Sequence, residues 1–282
     1  MNINWYPGHM KKTKESIQKS LPMVDVVFEL IDARIPISSQ NPIIDSILGV
    51  KPKIIILNKS DLASSDGNKA WQNHFMSKGI KTCFLNSLEG NGIDKLLELS
   101  YEATDTKRKA YEKRGVINRP TRAMILGIPN VGKSTLINTL SGKKGAKTGN
   151  RPGVTKSNQW IKTKGNLELL DTPGILWPKF EDKEVGINLA LTGAIKDEIL
   201  DIETLALKLI ERLTKYFPNL LNNRYNIEIE GKSYLNIMED IGRRRGCIIK
   251  GGEIDYTKVS HIVLDEFRRG IIGNVTLEFP QE

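Results

Sequence analysis

Two cysteines and three histidines are all that the 282 residues offer to thiol or imidazole chemistry. Cys83 and Cys247 stand far apart, with neither a metal-ligand spacing nor the density of a disulfide framework. They read as small buried thiols, and a cytoplasmic location is expected. Apolar runs such as "IIIL" (Ile54–Leu57) fall far short of the roughly 20 residues that a membrane-spanning helix needs, so no membrane partner is expected. The N-terminal "MNINWYPGHMKK" has no continuous apolar stretch and does not read as a secretory signal. Internal repeats and low-complexity tracts are absent.

What is present is an ordinary globular composition, 39% hydrophobic and 27% charged. The net charge is +9 and unevenly spread. Residues 1–177 hold 27 Lys and Arg against 15 acids, whereas residues 178–282 hold 15 against 18. The basic excess in the first part suits a polyanionic partner, although solubility alone accounts for a modest charge equally well.

Short β-branched runs closed by polar residues predict strands within Asp25–Arg34, Lys53–Asn58, Lys81–Asn86 and Arg122–Gly127. A long helix is expected from about Gly92 and another from Lys133, while "NQWIKT" and "NLELLD" predict a hairpin. Alternating strands and helices imply an α/β fold with a mostly parallel sheet covered on both faces. Beyond Pro178 helical spacing dominates. Two domains are therefore expected, 1–177 and a smaller, mainly α-helical 178–282.

"GIPNVGKS" (Gly127–Ser134) fits G-x-x-x-x-G-K-[ST] between an apolar strand and a helix, the context a phosphate loop requires. Its glycines let backbone amides approach phosphate oxygens, and the helix N-terminus stabilises negative charge. Asn130, Val131, Gly132, Lys133, Ser134 and Thr135 are thus candidate GTP-binding residues. Lys133 is expected on the β- and γ-phosphates and the Ser134 hydroxyl on Mg²⁺. "DTPG" (Asp171–Gly174) ends a further strand, with Asp171 a second Mg²⁺ candidate and the Gly174 amide a sensor of the γ-phosphate. Thr155 in "RPGVT" is the third Mg²⁺ candidate.

"NKSD" is Asn58, Lys59, Ser60 and Asp61. A carboxylate at Asp61 accepts from guanine N1–H and its 2-amino group, donors that adenine lacks. Asn58 is placed to bond the purine edge, and Asn86–Ser87 to add a backbone contact. In most guanine-nucleotide proteins this clamp follows the phosphate loop, yet here it precedes it.

Together "NWYPGHMKK", "IDARIP", "NKSDL", "GIPNVGKSTLIN", "RPGVT" and "LLDTPGILWPK" make the chain very similar to the ribosome biogenesis GTPase A family (RbgA, also called YlqF), circularly permuted P-loop GTPases. The resemblance covers the full chain. It implies GTP hydrolysis during assembly of the large (50S) ribosomal subunit, with a helical C-terminal domain that binds rRNA and ribosomal proteins as further partners. It also implies that Asn130 accompanies a K⁺ beside the phosphates.

Many GTPases place a water-orienting glutamine after D-x-x-G. Ile175 stands there and cannot hold water, so slow unassisted hydrolysis is expected. His9, in "YPGHMKK", is the candidate catalytic group that a bound subunit brings to the γ-phosphate. Lys11, Lys12, Arg243, Arg244, Arg245 and Lys250 are candidate RNA contacts, with solvated charged faces as the alternative. Two other functions stay open at this point: a GTPase acting on another RNA such as tRNA, and a non-hydrolysing nucleotide-gated adaptor.

Overall fold

In the computed structural model, residues 10–142, 159–172, 174–176, 180 and 182–281 are described. Chain order is α1 (Met10–Ser20), β1 (Val26–Asp32), α2 (Pro36–Ser39), α3 (Pro42–Leu48), β2 (Lys53–Asn58), α4 (Ser65–Ser77), β3 (Thr82–Leu85), α5 (Ile93–Glu112), β4 (Thr121–Gly127), α6 (Lys133–Ser141), β5 (Gln159–Lys162) and β6 (Leu167–Asp171). The helical remainder is α7 (Lys183–Leu191), α8 (Ile202–Tyr216), α9 (Pro218–Tyr225), α10 (Tyr234–Arg244) and α11 (Tyr256–Arg268).

The strands form one sheet in the order β3-β2-β1-β4-β6-β5. Every pairing is parallel except the β5–β6 hairpin. The expected strands, both helix starts and the hairpin are all found, each within a few residues. Every residue of β1 is buried, which is what a central parallel strand covered on both faces requires. Its alternation splits the core: Val26, Phe28 and Leu30 join one apolar cluster, Val27 a second and Ile31 a third. The first cluster does not stop at the sheet. It runs on through Leu189, Leu205, Leu209, Ile241, Val263 and Phe267, so the C-terminal helices share apolar packing with the sheet.

The last segment is the least regular. After α11 the chain runs without helix or strand back across the first part. Val275 N donates to Leu62 O, and Leu277 N to Arg34 O. Trp71 Nε1 donates to Glu278 O, and Thr276 Oγ1 bonds both the amide and the hydroxyl of Ser64. The tail therefore returns to elements that lie more than 200 residues earlier. Among the described residues no helix is long and apolar enough to cross a membrane.

Candidate nucleotide site

Parallel strands deliver their C-terminal ends to one edge of a sheet, where open α/β folds bind ligands. Here β1, β2, β3, β4 and β6 end at Asp32, Asn58, Leu85, Gly127 and Asp171. The guanine clamp, Asn86–Ser87, the phosphate loop and "DTPG" all emerge along that edge. Chain order has no bearing on this, because β2 and β4 flank β1 whichever comes first.

Asn58 ties the loops together. Its Nδ2 donates to Val131 O at 2.7 Å, and its Oδ1 accepts from Ser87 N at 3.1 Å and Ser87 Oγ at 2.6 Å. Three of the four bonds a carboxamide can make are thereby used, which leaves one N–H for a purine edge. The packing is close: Gly132, at φ +105°, would put a Cβ 2.2 Å from Asn58 Nδ2. Any side chain there drives the phosphate loop off the clamp. Thr139 Oγ1, on α6, adds a bond to Ser87 O at 2.6 Å, a contact that no motif announces. Asn86 turns its own loop, its Oδ1 accepting from Leu88 N and Glu89 N.

Lys59 sits at φ +57° and its ammonium lies 3.0 Å from the buried Asp32 carboxylate. Asp61 is exposed, which leaves its carboxylate open to a ligand. Ser60 holds the loop by its backbone, N to Leu85 O and O from Asn68 Nδ2.

Lys133 is buried and folds onto its own loop, donating to Gly127 O at 2.9 Å and Ile128 O at 2.7 Å. Burial lowers its pKa to about 8, against the upward pull of the Asp171 carboxylate. A buried cation over a glycine-rich loop at a helix N-terminus is built to receive phosphate. Ser134 follows it, and Asp171 is buried at the end of β6. A hydroxyl and a carboxylate are the hard oxygen donors that Mg²⁺ takes, so this donor set fits that ion. Thr155 and His9 lie outside the described residues, as do the side chains of Lys11 and Lys12.

"DTPG" presses on the phosphate loop. A Cβ on Gly174 would stand 2.9 Å from Pro129 and 3.1 Å from Lys133 Nζ. Ile175 N donates to Gly127 O at 3.1 Å, and the Ile175 side chain is buried with Met124, Leu126 and Leu170. It faces the core, with no polar atom to offer a water. Asn130, at φ +57°, turns its Nδ2 onto Gly193 O at 2.7 Å, just past α7.

Comparison with known proteins agrees with this geometry. The family profile described as a 50S ribosome-binding GTPase matches residues 122–232, the stretch that opens at β4 and contains the phosphate loop and "DTPG". The clamp lies outside it, as the reversed order demands. Ribosome biogenesis GTPase A of Bacillus licheniformis is 46% identical over 282 residues, covering 100% of both chains. The protein of the same name from Priestia megaterium is 47% identical, covering 100% of this chain and 98% of its own. The chain belongs to the ribosome biogenesis GTPase A family. It is accordingly a circularly permuted GTPase, and it binds and hydrolyses GTP. The GDP-bound YlqF structure superimposes with a TM-score of 0.67 at 27% identity, covering 94% of this chain and 99% of that one.

The basic residues expected to meet RNA divide into two kinds. Arg243 pairs with Asp240 and Glu239, while Arg245 pairs with Glu266 and lies over the Tyr225 ring. Arg244 and Lys250 are exposed. The other histidines stay structural or peripheral: His74 packs edge-on against Trp71 and Phe75, and His261 is exposed.

Proposed function

We propose that this protein is a GTP-driven assembly factor of the large ribosomal subunit, acting in the cytoplasm. In this reading residues 1–177 hold the nucleotide and residues 178–282 present the rRNA-binding surface. The observation that carries the switch is the run from β6 through Gly174 and Ile175 towards the C-terminal helices: these residues touch the phosphate loop and the core together. The basic excess of residues 1–177 and the membership of the family support a ribosomal partner.

Within the site, Asp61 reads guanine, and Lys133 neutralises charge on the β- and γ-phosphates. Ser134 and Asp171, with Thr155, would hold Mg²⁺, which supplies further charge neutralisation during phosphoryl transfer. Asn130 is assigned to a K⁺ beside the phosphates through its carbonyl oxygen, the amide end being turned to Gly193. Ile175 orients no water, so the free protein turns over slowly and His9 completes the site once rRNA grips the N-terminal segment.

The test is GTP turnover with and without precursor large subunits, in KCl and in NaCl. Strong stimulation that falls with salt, drops in NaCl and is largely lost in His9→Ala is expected. GTP affinity should survive that substitution. Equal turnover with and without large subunits, but stimulation by tRNA, would replace the ribosomal reading. Equal rates in KCl and NaCl would remove potassium.

A further inference from the structure

The segment "IDAR" at the end of β1 belongs to no nucleotide motif, yet it holds the most completely buried charges of the described residues. Asp32 and Arg34 have side chains only 1% exposed. Arg34 grips Asp32 with two parallel bonds, Nε to Oδ1 at 3.0 Å and a terminal nitrogen to Oδ2 at 2.9 Å. Its own backbone amide also donates to Oδ1 at 3.1 Å. The same carboxylate takes the Lys59 ammonium, 3.0 Å away. On the far side, Arg34 donates at 3.4 Å to the carbonyls of Phe267 and Arg268, and its guanidinium lies 5.2 Å from the Phe267 ring centre.

A helix leaves its last carbonyls without intrahelical partners and carries partial negative charge there. Arg34 supplies both the donors and the positive charge that the end of α11 needs. The end of α11 is fixed in turn: Arg268 donates to Ala190 O and Leu191 O at the end of α7 and pairs with Asp197. Leu277 N closes the ring on Arg34 O. A chain of charge-assisted bonds therefore runs from the base clamp to the C-terminal helices without touching the phosphate loop.

We propose that Asp32 and Arg34 are positioning residues for the guanine clamp, and that through them occupancy of the base site is linked to docking of the C-terminal end of α11. Asp32 holds Lys59 in its left-handed conformation, and so fixes the turn from which Asp61 projects. Removing a partner from so buried a network leaves an uncompensated charge, which the surrounding protein relieves by moving. Burial alone would raise the Asp32 pKa, but Arg34 and Lys59 hold it well below the ordinary carboxylate value, so Asp32 stays ionised. Coupling between two sites is reciprocal, so a base that orders the clamp must also tighten the end of α11.

The proposal rests on the reading of "NKSD" as the guanine clamp, and the experiment separates the two. Amide hydrogen exchange is followed in the wild-type protein with saturating GDP and with saturating pyrophosphate, which fills the phosphate loop and leaves the clamp empty. GDP should slow exchange over residues 267–278 about tenfold more than pyrophosphate does, within the usual range of coupling between sites. Equal protection by both ligands overturns the proposal and moves the coupling to the phosphate loop. Arg34→Lys, which keeps the charge and loses the fork, should reduce the preference for GDP over inosine diphosphate at least fivefold while pyrophosphate affinity stays within twofold. A uniform loss of all three ligands would make Arg34 a stability residue only and overturn its positioning role. Asp61→Asn is the control on the clamp itself: if it leaves the GDP-to-IDP preference intact, the clamp assignment has failed, whatever the exchange data show.

Discussion

Lys133 offers the sharpest quantitative prediction, because its ordinary charge is disturbed before any ligand arrives. Its ammonium is buried against two loop carbonyls, and burial pushes its pKa down to about 8, well below that of a free lysine at about 10.4. That displacement puts a penalty of about 3 kcal/mol on the charged form in the nucleotide-free protein, at 1.36 kcal/mol per unit. In the free protein the unfolded chain binds more protons than the folded one between pH 8 and about 10.4, so this group makes folding more favourable as pH rises through that window. Nucleotide binding has the opposite sign. A phosphate beside Lys133 restores the charged form, so binding takes up a proton above pH 8 and affinity falls there by up to about tenfold per pH unit. Just above pH 8 much of Lys133 is neutral, and each GDP bound should draw in a sizeable fraction of a proton. Calorimetry in two buffers of different ionisation enthalpy reads that number directly, at a pH where guanine keeps its N1–H. Lys133→Arg, permanently charged, should abolish the uptake. No uptake in the native protein would refute the lowered pKa of Lys133, and the same uptake in Lys133→Arg would refute the assignment of that proton to this lysine.

Three further perturbations follow from contacts at the same edge. Asp61→Asn should weaken GTP binding and admit xanthosine triphosphate, since an amide donates where the carboxylate only accepts; equal GTP affinity in titrations of the two proteins would count against the clamp. Gly132→Ala combines a φ of +105° with a Cβ 2.2 Å from Asn58 Nδ2, so nucleotide affinity should fall at least tenfold in a fluorescence titration, and an unchanged affinity would show that the Asn58 bridge is dispensable. Gly67→Ala places a Cβ 2.2 Å from Thr276 Oγ1, which should cost about 1–3 kcal/mol in thermal unfolding and release the tail at 271–281 to protease; a tail still protected would refute the strap contact.

The nucleotide edge was largely legible in the sequence because each of its loops is short and follows an apolar strand. "GIPNVGKS", "NKSD" and "DTPG" carry their chemistry in consecutive residues, and periodicity alone set the strands that aim them. The links between loops were not legible. Asn58 stands in the sequence as a contact to the base, but nothing there announces the three bonds by which it also joins Val131 and Ser87. Nor does the sequence announce that the Asn130 amide meets Gly193, 63 positions away. Such side-chain-to-backbone bonds leave no period in the sequence. The tail at 271–281 is the extreme case, an extended stretch whose partners at Arg34, Leu62, Ser64 and Trp71 precede it by more than 200 residues. "IDAR" stands out in the sequence only through the family resemblance. The clue available was two opposite charges, Asp32 and Arg34, at the end of a strand whose only other charge is Glu29, where burial is expected and charge must be paired.

The reversed order of the motifs acquires a physical sense from these links. A sheet ordered β3-β2-β1-β4-β6-β5 assembles the same pocket whether the clamp strands come first or last. What changes is the identity of the neighbours. In this order Gly174 and Ile175, just after β6, lie against the phosphate loop, and α7 is the next helix in the chain, so in the proposed reading the C-terminal helices are the sequence neighbours that a shift imposed by the γ-phosphate would reach first. The clamp strands, now at the front, bring "IDAR" under the end of α11. The C-terminal part thus touches the nucleotide edge at Asn130, through Gly193 O, and at Arg34, through the carbonyls of Phe267 and Arg268. In the proposed reading the phosphates act near Gly174 and Asn130, and the base acts through Arg34. GTP and GDP share the base and differ at the γ-phosphate. Either nucleotide should therefore keep the α11 contact, while only the contacts near Gly174 and Asn130 distinguish the two states.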